Sequence, residues 1–234
     1  MSSQVLYHPS VTQIPEATLV EQLLASPYRR DDLLAIRGIP AGALSQQRVS
    51  QTGLPGSPEG DVDILLWKPD RLDQAVAIEV KTVKATLDGI GGDHLNRLAE
   101  FKKGVRQAND LERIGFWKIY LWVFVLVDSR LQNGGRITYD GLGGELKHEV
   151  ENTISIEKLH PRVGLIHYEF VQSMDEIPLE VGSYGGHLIR LAESSEQPVG
   201  VTGWVAQRDR ESNAEHAAAG DSRGTATELG RVRT

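Results

Sequence analysis

The feature that most constrains the fold is a run of nine apolar residues, Ile119-Tyr120-Leu121-Trp122-Val123-Phe124-Val125-Leu126-Val127, that follows an amphipathic segment. It falls far short of a bilayer span, and its branched and aromatic side chains read as a strand buried in a core. Upstream, between Asp93 and about Arg113, the residues Leu95, Leu98, Phe101, Val105, Ala108 and Leu111 recur at steps of three and four. That spacing predicts a helix with one apolar stripe, with Asp93 placed to cap its start and Gly115 to stop it. Still earlier, Gly60–Trp67 and Ala75–Thr82 flank the polar stretch Lys68–Gln74 and read as the arms of a β-hairpin. A helix joining this hairpin to the apolar run is a crossover, which sets the run in the same sheet. The chain therefore reads as α/β, with a mixed central sheet flanked by helices.

The hairpin also carries the chemistry. Folding it near Arg71 and Leu72 sets Asp63 opposite Glu79 to Lys81. Because side chains alternate along a strand, Glu79 and Lys81 share one face while Ile78 and Val80 take the other. Two carboxylates and an ammonium thus converge on one patch of sheet, where a metal-dependent phosphodiesterase needs them. Asp61 lies one repeat away on the same face and is the alternative partner; the hairpin count favours Asp63. The triplet Glu-x-Lys means little alone, since Glu145-Leu146-Lys147 repeats it after a glycine-rich loop with no aspartate on a partner strand.

Around this centre, residues 15–25 predict a first helix with Leu19, Leu23 and Leu24 on one stripe, and Asp31–Ile36 a short second one. Strands are expected near Ser45–Gln51, Arg162–Gln172 and Gly186–Ala192, and a loop over Asn133–Gly144. From Glu193 onward core formers are few, apart from an island at Val199–Val205, and residues 206–234 read as disordered. Two segments follow: 1–192, a folded domain, and 193–234, a polar tail. Gly89-Ile90-Gly91-Gly92 lacks the lysine of a phosphate-binding loop. His94, the His167/Glu169 pair and Tyr184-Gly185-Gly186-His187 suggest no mechanism of their own. A net charge of −7 argues mildly against unspecific coating of nucleic acid, and the lack of cysteine excludes disulfides, thiolate catalysis and cysteine-ligated zinc. With no leader-like start and no membrane-spanning run, the expectation is a cytoplasmic protein with no membrane partner.

Asp63, Glu79 and Lys81, in this order of elements, resemble the PD-(D/E)xK nuclease superfamily. The local wording Glu59–Leu65 and Ile78–Thr82 looks most like its RecB-type and archaeal-resolvase-type branches. The resemblance covers roughly residues 15–130 and implies a restriction-endonuclease-like αβββαβ core, here with additional C-terminal strands, making residues 1–192 a nuclease-like domain. It implies that Asp63 and Glu79 ligate Mg2+ (or Mn2+), with the Val80 carbonyl a third ligand, and that Lys81 orients the attacking water. A first-helix acid often joins such sites; Glu21 is the best candidate, with Glu16 the alternative. In the RecB-type branch a QxxxY motif occupies the long helix and contacts DNA. Gln107 matches its glutamine, Leu111 stands in place of its tyrosine, and Lys102, Lys103 and Arg106 accompany them as candidate nucleic-acid contacts. The function implied is metal-dependent hydrolysis of phosphodiester bonds, in DNA above all. The alternatives are a nucleic-acid-binding module that does not cut, or a protein-interaction protein with an incidental charged hairpin. Cutting both strands of a duplex needs two sites, which makes a homodimer a natural arrangement.

Overall fold

The structure, a computed structural model, describes residues 15–25, 39, 43–57, 61–86, 97–128, 137–140, 158–173 and 183–224. In chain order the elements are α1 (Glu16–Ala25), β1 (Leu44–Ser50), β2 (Asp61–Lys68), β3 (Arg71–Thr86), α2 (Arg97–Ile114), β4 (Lys118–Asp128), β5 (Ile137–Asp140), β6 (Gly164–Ser173), β7 (Ser183–Arg190) and α3 (Val199–Gly224). The strands form one mixed sheet of seven, β1 to β7 in order, with β4 also beside β6. β1, β2 and β3 pair antiparallel, whereas β3–β4 and β4–β6 are parallel. The α/β architecture and the crossover helix expected from the sequence are both present. Expectations for Asp31–Ile36, Gly89–Gly92, Asp93, His94 and Glu145–Lys147 lie outside the described residues.

Alternation along β3 and β4 divides the core in two. On one face Ala75, Ala77, Leu121, Val123 and Val125 pack beneath Phe101, Val105, Ala108 and Leu111 of α2. On the other, Val76, Ile78, Val80, Tyr120, Trp122 and Phe124 pack against Leu19, Val20, Leu23 and Leu24 of α1. β4 is thus covered on both sides, as its unbroken apolar sequence requires. Each large apolar side chain buried this way contributes about 1.5–3 kcal/mol.

Three expectations change. The hairpin turns at Pro69-Asp70, not at Arg71 and Leu72, with Lys68 paired to Arg71. A bulge in β3 then restores the register, so that Leu66 pairs with Val76 and Ile64 with Ile78. Gln197 fills the bulge: its Oε1 accepts from the Ala75 N–H (3.1 Å), and its Nε2 donates to the Leu72 carbonyl (2.9 Å). Second, the expected loop at Asn133–Gly144 contains β5, whose Ile-Thr-Tyr is a β-forming triplet that pairs with β4 and β6. Third, of the residues 206–234 expected to be disordered, those to Gly224 belong to a helix, Val199–Gly224, and the rest lie outside the described residues. Val201, Trp204 and Val205, at helical spacing, bury into the α2-side core. The Trp67 indole donates to Asp209 (2.8 Å) and the Trp204 indole to the Thr52 carbonyl (3.2 Å). One docked turn thus anchors a helix whose remaining residues are too polar to announce it. Among the described residues, no helix is long and apolar enough to cross a membrane.

Candidate functional site

The site lies in a fork of the sheet. The β2–β3 ladder ends at Ile64–Ile78; before it, β2 pairs outward with β1 (Val62 with Val49), and beyond it β3 runs on beside β4 to Thr86. Two strands that part leave backbone donors without a ladder partner, and a side chain must supply one. Asp63 does so: its Oδ2 accepts the Val80 N–H at 2.7 Å. The carboxylate is thereby fixed at the crotch of the fork, close to Glu79 and Lys81 as the alternation and the hairpin register imply.

Lys81 folds back into this crotch. Its ammonium donates to Glu79 Oε1 at 2.5 Å and to the Val80 carbonyl at 2.8 Å, and lies 3.9 Å from Asp63 Oδ2. Glu79 is 1% exposed and Lys81 8%, on a face roofed by α2. Three oxygens from Asp63, Glu79 and Val80 therefore converge on a single cation.

Glu16, near the start of α1, completes the group, its carboxylate accepting from the Thr82 hydroxyl at 3.4 Å. Three carboxyls then face one ammonium, and the imbalance is visible in the proton affinities of Glu79 and Glu16. Burial, reinforced by the Asp63 charge, pushes Glu79 up to about 8. Burial likewise raises Glu16, with Lys81 opposing and Asp63 assisting. Burial pulls Lys81 down, but Glu79, Asp63 and Glu16 outweigh it and the net direction is upward. The site is short of positive charge, a deficit that either protons or a divalent cation would fill. Its donors are hard oxygens, two carboxylates and a carbonyl, which suits Mg2+ or Mn2+. Among the described residues, no three His, Asp or Glu side chains stand close enough to hold a metal by themselves.

The remaining candidates separate. Glu21 is exposed, on the side of α1 away from the core, whereas Glu16 interacts with Lys81 and Asp63. Helical phase carried this signal: Glu16 stands three and four residues before the buried Leu19 and Val20, while Glu21 falls off that stripe. Asp61 is exposed at the β1 pairing. Lys102, Lys103 and Arg106 are exposed on α2, the helix that roofs Lys81. Gln107 is half-buried, and its Oε1 has no hydrogen-bond partner among the described residues. Leu111 is a core residue, 2% exposed. Away from the fork, His187 Nε2 meets Glu169 Oε1 at 3.0 Å, and its ring centre lies 6.2 Å from that of the buried His167.

Comparison with protein families and with curated proteins finds no match. Among solved structures the chain is similar to Pyrococcus furiosus SfsA in complex with Ca2+, at 12% identity and a TM-score of 0.32. The match covers 72% of this chain and 63% of that one, less than two thirds of its length.

Proposed function

We propose that this protein is a divalent-metal-dependent nuclease that hydrolyses phosphodiester bonds, in DNA above all, on a restriction-endonuclease-like αβββαβ core. One observation carries the reading: Asp63 Oδ2, Glu79 Oε1 and the Val80 carbonyl converge on one cation, the Lys81 ammonium, in a crotch otherwise rich in carboxyls. Asp63, Glu79 and the Val80 carbonyl would hold Mg2+ or Mn2+. Once bound, the metal would lower the pKa of a water and offset charge growing on the phosphoryl oxygens.

The chain's own residues do the rest. Asp63 is held rigid by the Val80 N–H, and Glu79 by burial, so the cation site is formed in advance. Lys81 orients the attacking water and stabilises the anionic transition state, its proton retained by the neighbouring carboxylates. Glu16 adds negative charge toward the cation. Lys102, Lys103 and Arg106 contact phosphates, giving salt-dependent affinity that does not read sequence.

The test is incubation of the protein with plasmid, linear duplex, single-stranded DNA and RNA, in Mg2+, Mn2+ or EDTA, beside Asp63→Ala and Lys81→Ala. Metal-dependent cleavage lost in both variants is the expected result. No cleavage of any substrate, or equal cleavage by the variants, overturns the reading; binding in EDTA without cutting would instead make the protein a non-cutting module.

A further inference from the structure

Glycine in the middle of a helix costs stability relative to alanine, so a buried one needs a reason. Gly104 is buried midway along α2, directly over Lys81. A Cβ built there would collide with Lys81 Cγ and lie 3.3 Å from both Lys81 Cδ and Leu121 Cδ1. The nearest atom belongs to the lysine stem, and it is not a yielding one. Cγ is set by the first side-chain torsion, and the ammonium at the far end is bound to Glu79 and Val80. Leu121 can give by a few tenths of an ångström; Lys81 Cγ can move away from a methyl only by rotating the whole side chain.

We infer that Gly104 is a positioning residue: the gap it leaves in α2 lets the Lys81 stem pass beneath the helix and sets its ammonium on the oxygens of Asp63, Glu79 and Val80. The inference rests on the nuclease reading for its catalytic meaning, but its geometry can be tested without activity. Gly104→Ala turns Lys81 out of the crotch. It thereby lowers kcat by about 100-fold, the scale expected of a misplacement near 1 Å, and leaves KM for DNA little changed.

The deciding experiment is a double-mutant cycle read by thermal unfolding in EDTA, with Gly104→Ala made in the native chain and in Lys81→Ala. With Lys81 present, Gly104→Ala lowers Tm. With the stem removed, the same substitution raises Tm, because alanine favours the helix and the methyl has room. Were Gly104→Ala alone to fold poorly, its rescue by Lys81→Ala is the same expected result. An equal change of Tm in both backgrounds, or no rescue, overturns the inference. Absence of cleavage by the native protein beside a clear coupling would instead remove the nuclease reading and leave Gly104 as the seat of Lys81. Unchanged kcat in Gly104→Ala, in a native protein that does cut, overturns the positioning role.

Discussion

Replacing Glu79 with glutamine should make the protein more stable at alkaline pH, although it removes a charged partner of Lys81. The Glu79 carboxyl holds its proton up to about 8, chiefly because it is buried and secondarily because of Asp63, whereas in the unfolded chain it releases it near 4.5. Below 4.5 it is protonated in both states and contributes nothing to the difference. Between 4.5 and about 8 the folded chain binds a proton that the unfolded chain has released, so stability falls as pH rises, and above about 8 the loss is complete. At about 1.4 kcal/mol per pH unit, the whole loss is about 4–5 kcal/mol. In the native protein Lys81 does not disturb this window, because its net shift is upward from 10.5 and it stays charged throughout. Glu16, also raised, adds slope of the same sign in both proteins. Glutamine keeps an oxygen for the Lys81 ammonium but has no proton to lose. Urea unfolding in EDTA from pH 5 to 9 should show the native protein losing stability relative to Glu79→Gln by about 3–5 kcal/mol between pH 5 and 8. Parallel profiles, with the difference constant within about 1 kcal/mol, would refute the claim that burial holds a proton on Glu79.

Glu16→Gln should reduce metal-dependent cleavage by about 10-fold or more while Glu21→Gln leaves it unchanged, measured as initial rates on duplex DNA; equal effects would remove Glu16 from the site. Replacing Lys102, Lys103 and Arg106 together by alanine should weaken DNA binding in EDTA and flatten the plot of log K against log salt by about 2–3. An unchanged slope would mean that this face of α2 meets only solvent. Gln197→Ala should cost about 2–4 kcal/mol in urea unfolding, because the Ala75 N–H and the Leu72 carbonyl lose their partner inside the protein. Its cleavage rate per folded molecule should not change, since the bulge lies away from the fork.

What the sequence made legible was periodic. Alternation placed Glu79 and Lys81 on one face, steps of three and four outlined α2, and an unbroken apolar run marked the strand buried on both sides. Asp63 was legible because a hairpin ties two short segments by counting alone. The count succeeded although the turn sits at Pro69-Asp70, because the bulge before Val76 returns the strands to the same register. That bulge was not legible: its hydrogen bonds come from Gln197, a residue more than a hundred positions away. Glu16 was legible in principle, since it shares the phase of Leu19 and Val20, but an exposed acid and a half-buried one look alike until the stripe is traced back to the first turn. The last helix was hidden because three side chains, Val201, Trp204 and Val205, dock it while the residues around them are polar.

The Gln197 bond to the hairpin also bears on the order in which the chain can become native. The hairpin that carries Asp63, Glu79 and Lys81 lies in the first half of the sequence, yet the Leu72 carbonyl and Ala75 N–H of its bulge find their partner only near the end. During synthesis from the N-terminus, the hairpin, the crossover helix and β4 emerge with that bulge unsupported, and contacts of such large sequence separation form late. The bulge is therefore closed only when the segment around Gln197 has left the ribosome and packed over it. A nascent chain halted before that point would carry every proposed catalytic residue on a hairpin whose bulge still lacks its partner.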